Sequence, residues 1–206
     1  MQSHCLTLPD NMAELPVKGA WSSGWYRYAR KLSSPNFGLR PVDTITDLLV
    51  IHSISLPPGE FGTENVQKLF CNQLDWDAHP YFQTLRGLQV SAHFFICRQG
   101  RLWQFVSCEH RAWHAGQSVY LGRADCNNHS IGIELEGVEG GLFEPMQYET
   151  LTALTSAILL EFPIKNLAGH EHIATGRKTD PGSGFDWLHF QRSLGVTSNW
   201  LPANQR

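Results

Sequence analysis

Three residues far apart in the chain could share one metal ion: His52, ending the apolar run DLLVIH, and His170 and Asp180 within GHEHIATGRKTDPG. Two imidazoles and one carboxylate are the ligand set of a catalytic Zn²⁺ site, which keeps a fourth position open for water. A histidine at a strand end is more often a satisfied polar residue than a ligand, and with ten histidines in the chain coincidence comes easily. His52 gains weight from its place directly after an apolar strand, where a rigid element would aim it into a cleft. His170 and Asp180 gain weight together. Gly169 and Gly176 let the intervening loop turn, and Pro181 biases Asp180 towards extended backbone. The pattern is not HExxH, and no other tight metal motif matches.

Two more residues could do chemistry beside such a metal. Lys178 lies two positions before Asp180, so in extended backbone the two side chains point the same way. It is either a salt-bridge partner or a cation for a developing oxyanion. Glu134 lies in SIGIELEG, whose strict alternation puts Ile131, Ile133 and Leu135 on one face and Gly132, Glu134 and Glu136 on the other. Its carboxylate is either solvent-facing or turned into a cleft beside the metal, and composition does not separate the two.

The elements that must position these groups follow from periodicity. DLLVIH, residues 47–52, is a continuous apolar run of strand length, which predicts a strand covered on both faces. Pro57 and Pro58 then force a loop, and Thr63 is placed to cap a short helix with Val66, Leu69, Phe70 and Leu74 on its apolar face. HFFICRQGRLWQFV predicts two strands joined at Gln99-Gly100. Pro145 suits the first turn of a helix carrying Leu151, Leu154, Ile158 and Phe162 on one stripe, and a last helix starts at Asp186. The aromatic-rich segment GAWSSGWYRYARKLSSPNFGLRP shows no periodicity and is expected to wrap the core as an irregular arm. Strands and helices mingle without a regular βαβ period. The expected class is therefore α/β in the α+β sense: a single domain with a central mixed β-sheet flanked by helices.

A length of 206 residues suits one domain with a short extension, here a poorly ordered lead over residues 1–20 followed by a zinc-binding domain over residues 21–206. A hydrophobic content of 42% with 17% charged residues is globular, and the net charge of −3 gives no basic face for nucleic acid. The partner is expected to be small. Five scattered cysteines without a CxxC pair suit free thiols in a reducing compartment. No signal-peptide pattern opens the chain, and no apolar run approaches a membrane span, so the cytoplasm is the expected location.

The blocks LLVIHSISLPPGEFG, QVSAHFF, RAWHAG, NNHSIGIELEG, GHEHIATGRKTDPG and FDW, with the arm SPNFGLRP, resemble the zinc N-acetylmuramoyl-L-alanine amidases. They are most similar to the AmpD-type anhydro-muramyl-peptide amidases of bacterial cell-wall recycling. The resemblance implies a mixed sheet flanked by helices, with one zinc ion in a cleft at its edge. It also implies cleavage of the amide between the lactyl group of 1,6-anhydro-N-acetylmuramic acid and L-alanine, in a small soluble anhydro-muropeptide. Carried over by position, it makes His52, His170 and Asp180 the zinc ligands, Glu134 the general base and Lys178 the electrophilic cation. Ser53 and Trp113 match positions along the substrate cleft, with His114 either beside them or a supporting hydrogen bonder.

Three departures stand out. Gln89 and Asp125 occupy places where many relatives carry arginine, and Ser53 stands where asparagine is common. The far end of the stem peptide is then expected to be held differently, with Arg86 and Arg123 as substitutes to consider. The alternative to an enzyme is a muropeptide-recognition module of the same fold without a metal. Such modules typically lack the third ligand, whereas this chain keeps Asp180 together with Glu134 and Lys178.

Overall fold

The computed structural model describes residues 19–202, so the expected N-terminal lead lies, up to residue 18, outside the described residues. In chain order the strands are β1 (Trp21–Ser22), β2 (Trp25–Tyr26), β3 (Arg30–Lys31), β4 (Phe37–Leu39), β5 (Leu48–Ile54), β6 (Phe94–Ile96), β7 (Leu102–Gln104), β8 (His110–Ala112), β9 (Val119–Tyr120), β10 (Arg123–Ala124), β11 (Ser130–Glu136) and β12 (Asn166–Gly169). The helices are α1 (Asn65–Phe70), α2 (Pro80–Gln83), α3 (Pro145–Glu161), α4 (His170–Ile173) and α5 (Trp187–Leu194).

Six strands form one sheet in the order β12-β5-β11-β6-β7-β3. The four from β12 to β6 run parallel, β6 and β7 form an antiparallel hairpin, and β3 adds in parallel at the edge. The sheet is mixed, as expected. The continuous apolar run makes β5 an interior strand, with neighbours on both sides and Leu48 to His52 all buried. β11 is buried along its whole length, so its alternation separates two covered faces rather than a wet one from a dry one.

On one face, Leu49, Ile51, Ile131, Ile133 and Leu135 pack against Leu151, Leu154 and Ile158 of α3 and Phe190 of α5. On the other, Leu48, Val50 and Ala168 meet Ala115 and Ile173, while Phe95 and Phe105 pack under Val66, Leu69 and Phe70 of α1. α3 opens at Pro145, as its position predicts, and Gln147 Oε1 accepts from the Glu144 N–H at 3.0 Å. Asp186 caps α5 by accepting from the His189 N–H at 2.8 Å. The hairpin turns at Gly100, whose φ of +73° is the left-handed conformation that glycine adopts without strain.

Two expectations need correction. Thr63 does not cap α1, which has Glu64 at its N-cap. From one residue farther out, the Thr63 hydroxyl donates to the Leu56 carbonyl at 3.2 Å and accepts from the Asn65 N–H at 3.4 Å, tying the proline loop to the helix start, and Leu74 lies past the end of the helix. The aromatic arm is not wholly irregular either. β1 and β2 pair with each other, β3 joins the main sheet and β4 pairs with β8. Strands of two or three residues are too short to show a period.

α3 offers a test of where stability resides. Leu151 is 0% exposed in the core and Leu160 is 64% exposed on the same helix. Leu151→Ala should cost about 2–5 kcal/mol through lost burial and a residual cavity. Leu160→Ala should stay within about 0.5 kcal/mol of wild type. Urea unfolding of both variants measures the contrast, and equal costs would refute the assignment of α3's buried face.

Candidate metal centre and active site

Strand register delivers the site. Across the parallel β5–β11 pair, His52 lies opposite Glu134, and across β5–β12, Ile51 lies opposite Gly169. His170, the next residue, therefore sits level with His52 and Glu134. All three come from the carboxyl ends of adjacent parallel strands, where open α/β sheets present their crevices. Asp180 returns to this end by a loop whose closure depends on Gly169. A Cβ there would lie 2.7 Å from Cδ of Pro181, so only glycine lets the loop come this close, and the Glu171 N–H then donates to the Asp180 carbonyl at 2.9 Å.

Nδ1 of His52 and Nδ1 of His170 approach Asp180 Oδ2 at 3.3 and 3.2 Å. One ligand atom from each of the three residues lies within 4.8 Å of the other two, and among the described residues no other group of His, Cys, Asp or Glu converges in this way. Burial, reinforced by His170, pushes the His52 imidazole down to about 4, so it is neutral and keeps a lone pair at physiological pH. Burial acts to raise Asp180, but the two imidazoles against it, His170 and His52, outweigh that and hold the carboxyl below the usual carboxylate range. His52 Nδ1 is fully buried and makes no hydrogen bond despite facing Asp180. An orphaned imidazole lone pair beside a second imidazole and a carboxylate is a site that a divalent cation satisfies, and the N, N, O donor set fits zinc.

Glu134 turns into the same cleft with its side chain buried and Oε2 unpartnered. Burial raises its pKa well above the ordinary carboxylate value, with Asp180 adding to the rise and Lys178 opposing it. The cleft encloses about 310 Å³. Its lining includes the polar His170, Glu134, Lys178 and Asp180 and the apolar Leu56, Tyr81, Leu85, Leu88 and Trp113. Ser53, Trp113 and His114 all line it. His114 has no free ring nitrogen, since Nδ1 meets His52 Nε2 at 2.8 Å and Nε2 meets Ser130 Oγ at 3.1 Å.

Arg86 and Arg123 do not line this cleft; each pairs at 2.5 Å with a surface acid, Asp77 and Asp47 respectively. Sequence reasoning also passed over Arg40, Ser130 and Asn127. The Arg40 guanidinium donates to the carbonyls of Cys108, Asn127, Asn128 and Ser130 without a carboxylate partner, which stitches the arm to the loop behind the site. Burial brings its pKa down to about 10. SPNFGLRP was among the resembling blocks, but nothing in it signalled that its arginine would be spent on backbone.

The N-acetylmuramoyl-L-alanine amidase family profile matches residues 42–183. The 1,6-anhydro-N-acetylmuramyl-L-alanine amidase AmpD of Citrobacter freundii is 48% identical over 178 residues, covering 85% of this chain and 95% of that protein. The crystal structure of a Se-Met AmpD derivative superposes with a TM-score of 0.82 at 48% identity, covering 85% of this chain and 98% of that one. The amidase AmiD from E. coli, in complex with the substrate anhydro-N-acetylmuramic acid-L-Ala-D-γ-Glu-L-Lys, matches with a TM-score of 0.55 at 29% identity, over 77% of this chain and 62% of that one. Matched by the family profile over most of its length and by a relative almost end to end, this chain belongs to the N-acetylmuramoyl-L-alanine amidases, alongside AmpD.

Proposed function

We propose that the chain hydrolyses the amide between 1,6-anhydro-N-acetylmuramic acid and L-alanine in small soluble muropeptides, using one zinc ion held by His52, His170 and Asp180. The observation that carries this reading is the approach of two imidazole Nδ1 atoms to one carboxylate oxygen beside the buried, unpartnered Glu134. When bound there, zinc supplies Lewis acidity, polarising the scissile carbonyl and making water acidic enough to attack near neutral pH.

The chain's own groups do the rest. Glu134 Oε2, unpartnered and with a raised pKa, takes the proton of the attacking water and returns it to the departing alanine nitrogen. Lys178 brings a positive charge to the oxyanion that grows from the carbonyl. Trp113 offers a ring edge or face to the apolar parts of the sugar, and Ser53 a hydroxyl beside the first ligand. His114 acts behind His52 rather than on the substrate, because both its ring nitrogens are engaged.

The proposed location is the cytoplasm. Cys71, Cys97, Cys108 and Cys126 are free thiols, and no helix among the described residues is long and apolar enough to cross a membrane.

Purified full-length protein incubated with anhydro-muramyl-tripeptide should release free tripeptide. Chelator should abolish release, and His52→Ala should prevent it. Release that survives both treatments would remove the metal from the mechanism.

Glu134→Gln should lower turnover by about 10²–10⁴-fold. The same variant should be more stable than wild type in chelator-treated protein. The folded-state pKa of Glu134 lies above its unfolded value, so its contribution to stability is complete in acid and is lost as pH rises through the folded value. Glutamine has no such dependence. The gap in thermal midpoint between variant and wild type should therefore widen from acid to neutral pH, and a gap independent of pH would contradict the assignment.

A further inference from the structure

Each central imidazole has one nitrogen turned away from Asp180, and the partner of that nitrogen decides which atom remains for a metal. His170 has an acceptor at each nitrogen, the Ala115 carbonyl at Nε2 and Asp180 Oδ2 at Nδ1, both at 3.2 Å; with Nδ1 given to the metal, the ring proton goes to Nε2, where the Ala115 carbonyl receives it. For His52, Nε2 faces another imidazole nitrogen, Nδ1 of His114, at 2.8 Å, and either ring could hold the proton.

The ambiguity is resolved farther along the chain of bonds. Ser130 Oγ lies 2.6 Å from the Cys126 carbonyl oxygen and must donate its single proton there. The hydroxyl can then only accept from His114 Nε2, at 3.1 Å. A neutral His114 with its proton on Nε2 presents a lone pair at Nδ1. His52 must fill that lone pair from its own Nε2–H, which leaves His52 Nδ1 bare beside Asp180. Run in the opposite direction, Ser130 would give its single proton to His114 Nε2 and leave two oxygen lone pairs facing each other across the 2.6 Å to the Cys126 carbonyl.

The geometry points to the segment His114–Ala115, backed by Ser130 and clamped by Asn127, as the orienting element of the metal site. Its members are positioning residues that set the tautomers of both ligand imidazoles without touching substrate. This inference rests on His52, His170 and Asp180 being the metal ligands, and deepens that reading. Asn127 Oδ1 accepts from the N–H groups of both His114, at 3.0 Å, and Ala115, at 2.8 Å. One carboxamide oxygen thus holds the side chain that serves His52 and the carbonyl that serves His170. Arg177 donates to the same Ala115 carbonyl at 2.9 Å. Gly132 makes room for the arrangement, since a Cβ there would fall 2.5 Å from the His114 ring.

The test uses the full-length chain, stripped with chelator and titrated with zinc against a chromophoric competitor. Ser130→Ala and His114→Leu should each weaken zinc binding by about 10- to 100-fold. His114→Gln should stay near wild type, because its amide oxygen and nitrogen can replace Nδ1 and Nε2 in the same order. Long-range ¹H–¹⁵N correlation spectra of the wild-type imidazoles need no variant, and should show His114 protonated on Nε2 with Nδ1 bare. A His114 proton on Nδ1, or equal zinc affinity in wild type and in folded Ser130→Ala and His114→Leu, overturns the inference. The tautomer spectrum can be read with or without zinc and without turnover. A wild-type protein that shows the expected tautomer but releases no tripeptide would therefore refute the hydrolysis proposal and leave this inference standing.

Discussion

Parallel pairing of β12, β5 and β11 is the constraint on which the site depends. Hydrogen bonding fixes which residues lie level across neighbouring strands, and a slip of one residue would turn every side chain to the opposite face. With His52 opposite Glu134 and Gly169 opposite Ile51, two imidazoles and a carboxylate emerge in one row at the sheet's carboxyl edge. The hydrophobic pattern enforces that register. Leu49, Ile51, Ile131 and Ile133 must reach α3, so His52 and Glu134 must face the other way. The chemistry is positioned by the burial of residues that take no part in it.

The same arrangement places polar groups where they are costly. A buried carboxylate with an unpartnered oxygen, a buried imidazole nitrogen with no hydrogen bond and two neutral histidines in edge contact are not what an apolar core would select. Each is expected of a site preorganised for a cation and a proton transfer, at some expense to the stability of the metal-free fold. Other charged groups near this cluster are satisfied by backbone. Arg40 places its guanidinium on four carbonyls, and Glu136, one strand position pair beyond Glu134, accepts from the backbone N–H groups of Gly62 and Arg98. Glu134 and Glu136 lie on the same face of β11, yet one is consumed by loop backbone and the other left open to the cleft.

That pair shows what could be read from the chain and what could not. Alternation in SIGIELEG assigns both glutamates to one face but is blind to what covers it. The interior strand, the hairpin at Gly100, α3 and the cap of α5 were legible, because burial period and turn chemistry are local properties. Residue type and the ordered blocks of resemblance picked out His52, His170 and Asp180, which the structure brings together. The two-residue strands of the arm carry no period, and Thr63 misses the N-cap by one residue, since α1 starts after Glu64 while the Thr63 hydroxyl bridges the Leu56 carbonyl and the Asn65 N–H. Ser130 and Asn127 were invisible for a different reason. A serine and an asparagine beside a strand are ordinary until the fold sets them against His114.

Gly132 and Gly169 tie fold and site together more tightly than their size suggests. Both lie on strands of the central sheet, where glycine weakens pairing and invites replacement by a β-branched residue. Each instead gives up its Cβ volume to something the site requires: the His114 ring at Gly132, and Pro181 with the loop that carries Asp180 at Gly169. A sheet optimised for its own stability would fill both positions and push the support of one ligand, and the return of another, outward. Their presence in otherwise well-formed strands is what a site built into the sheet, rather than laid on its surface, requires.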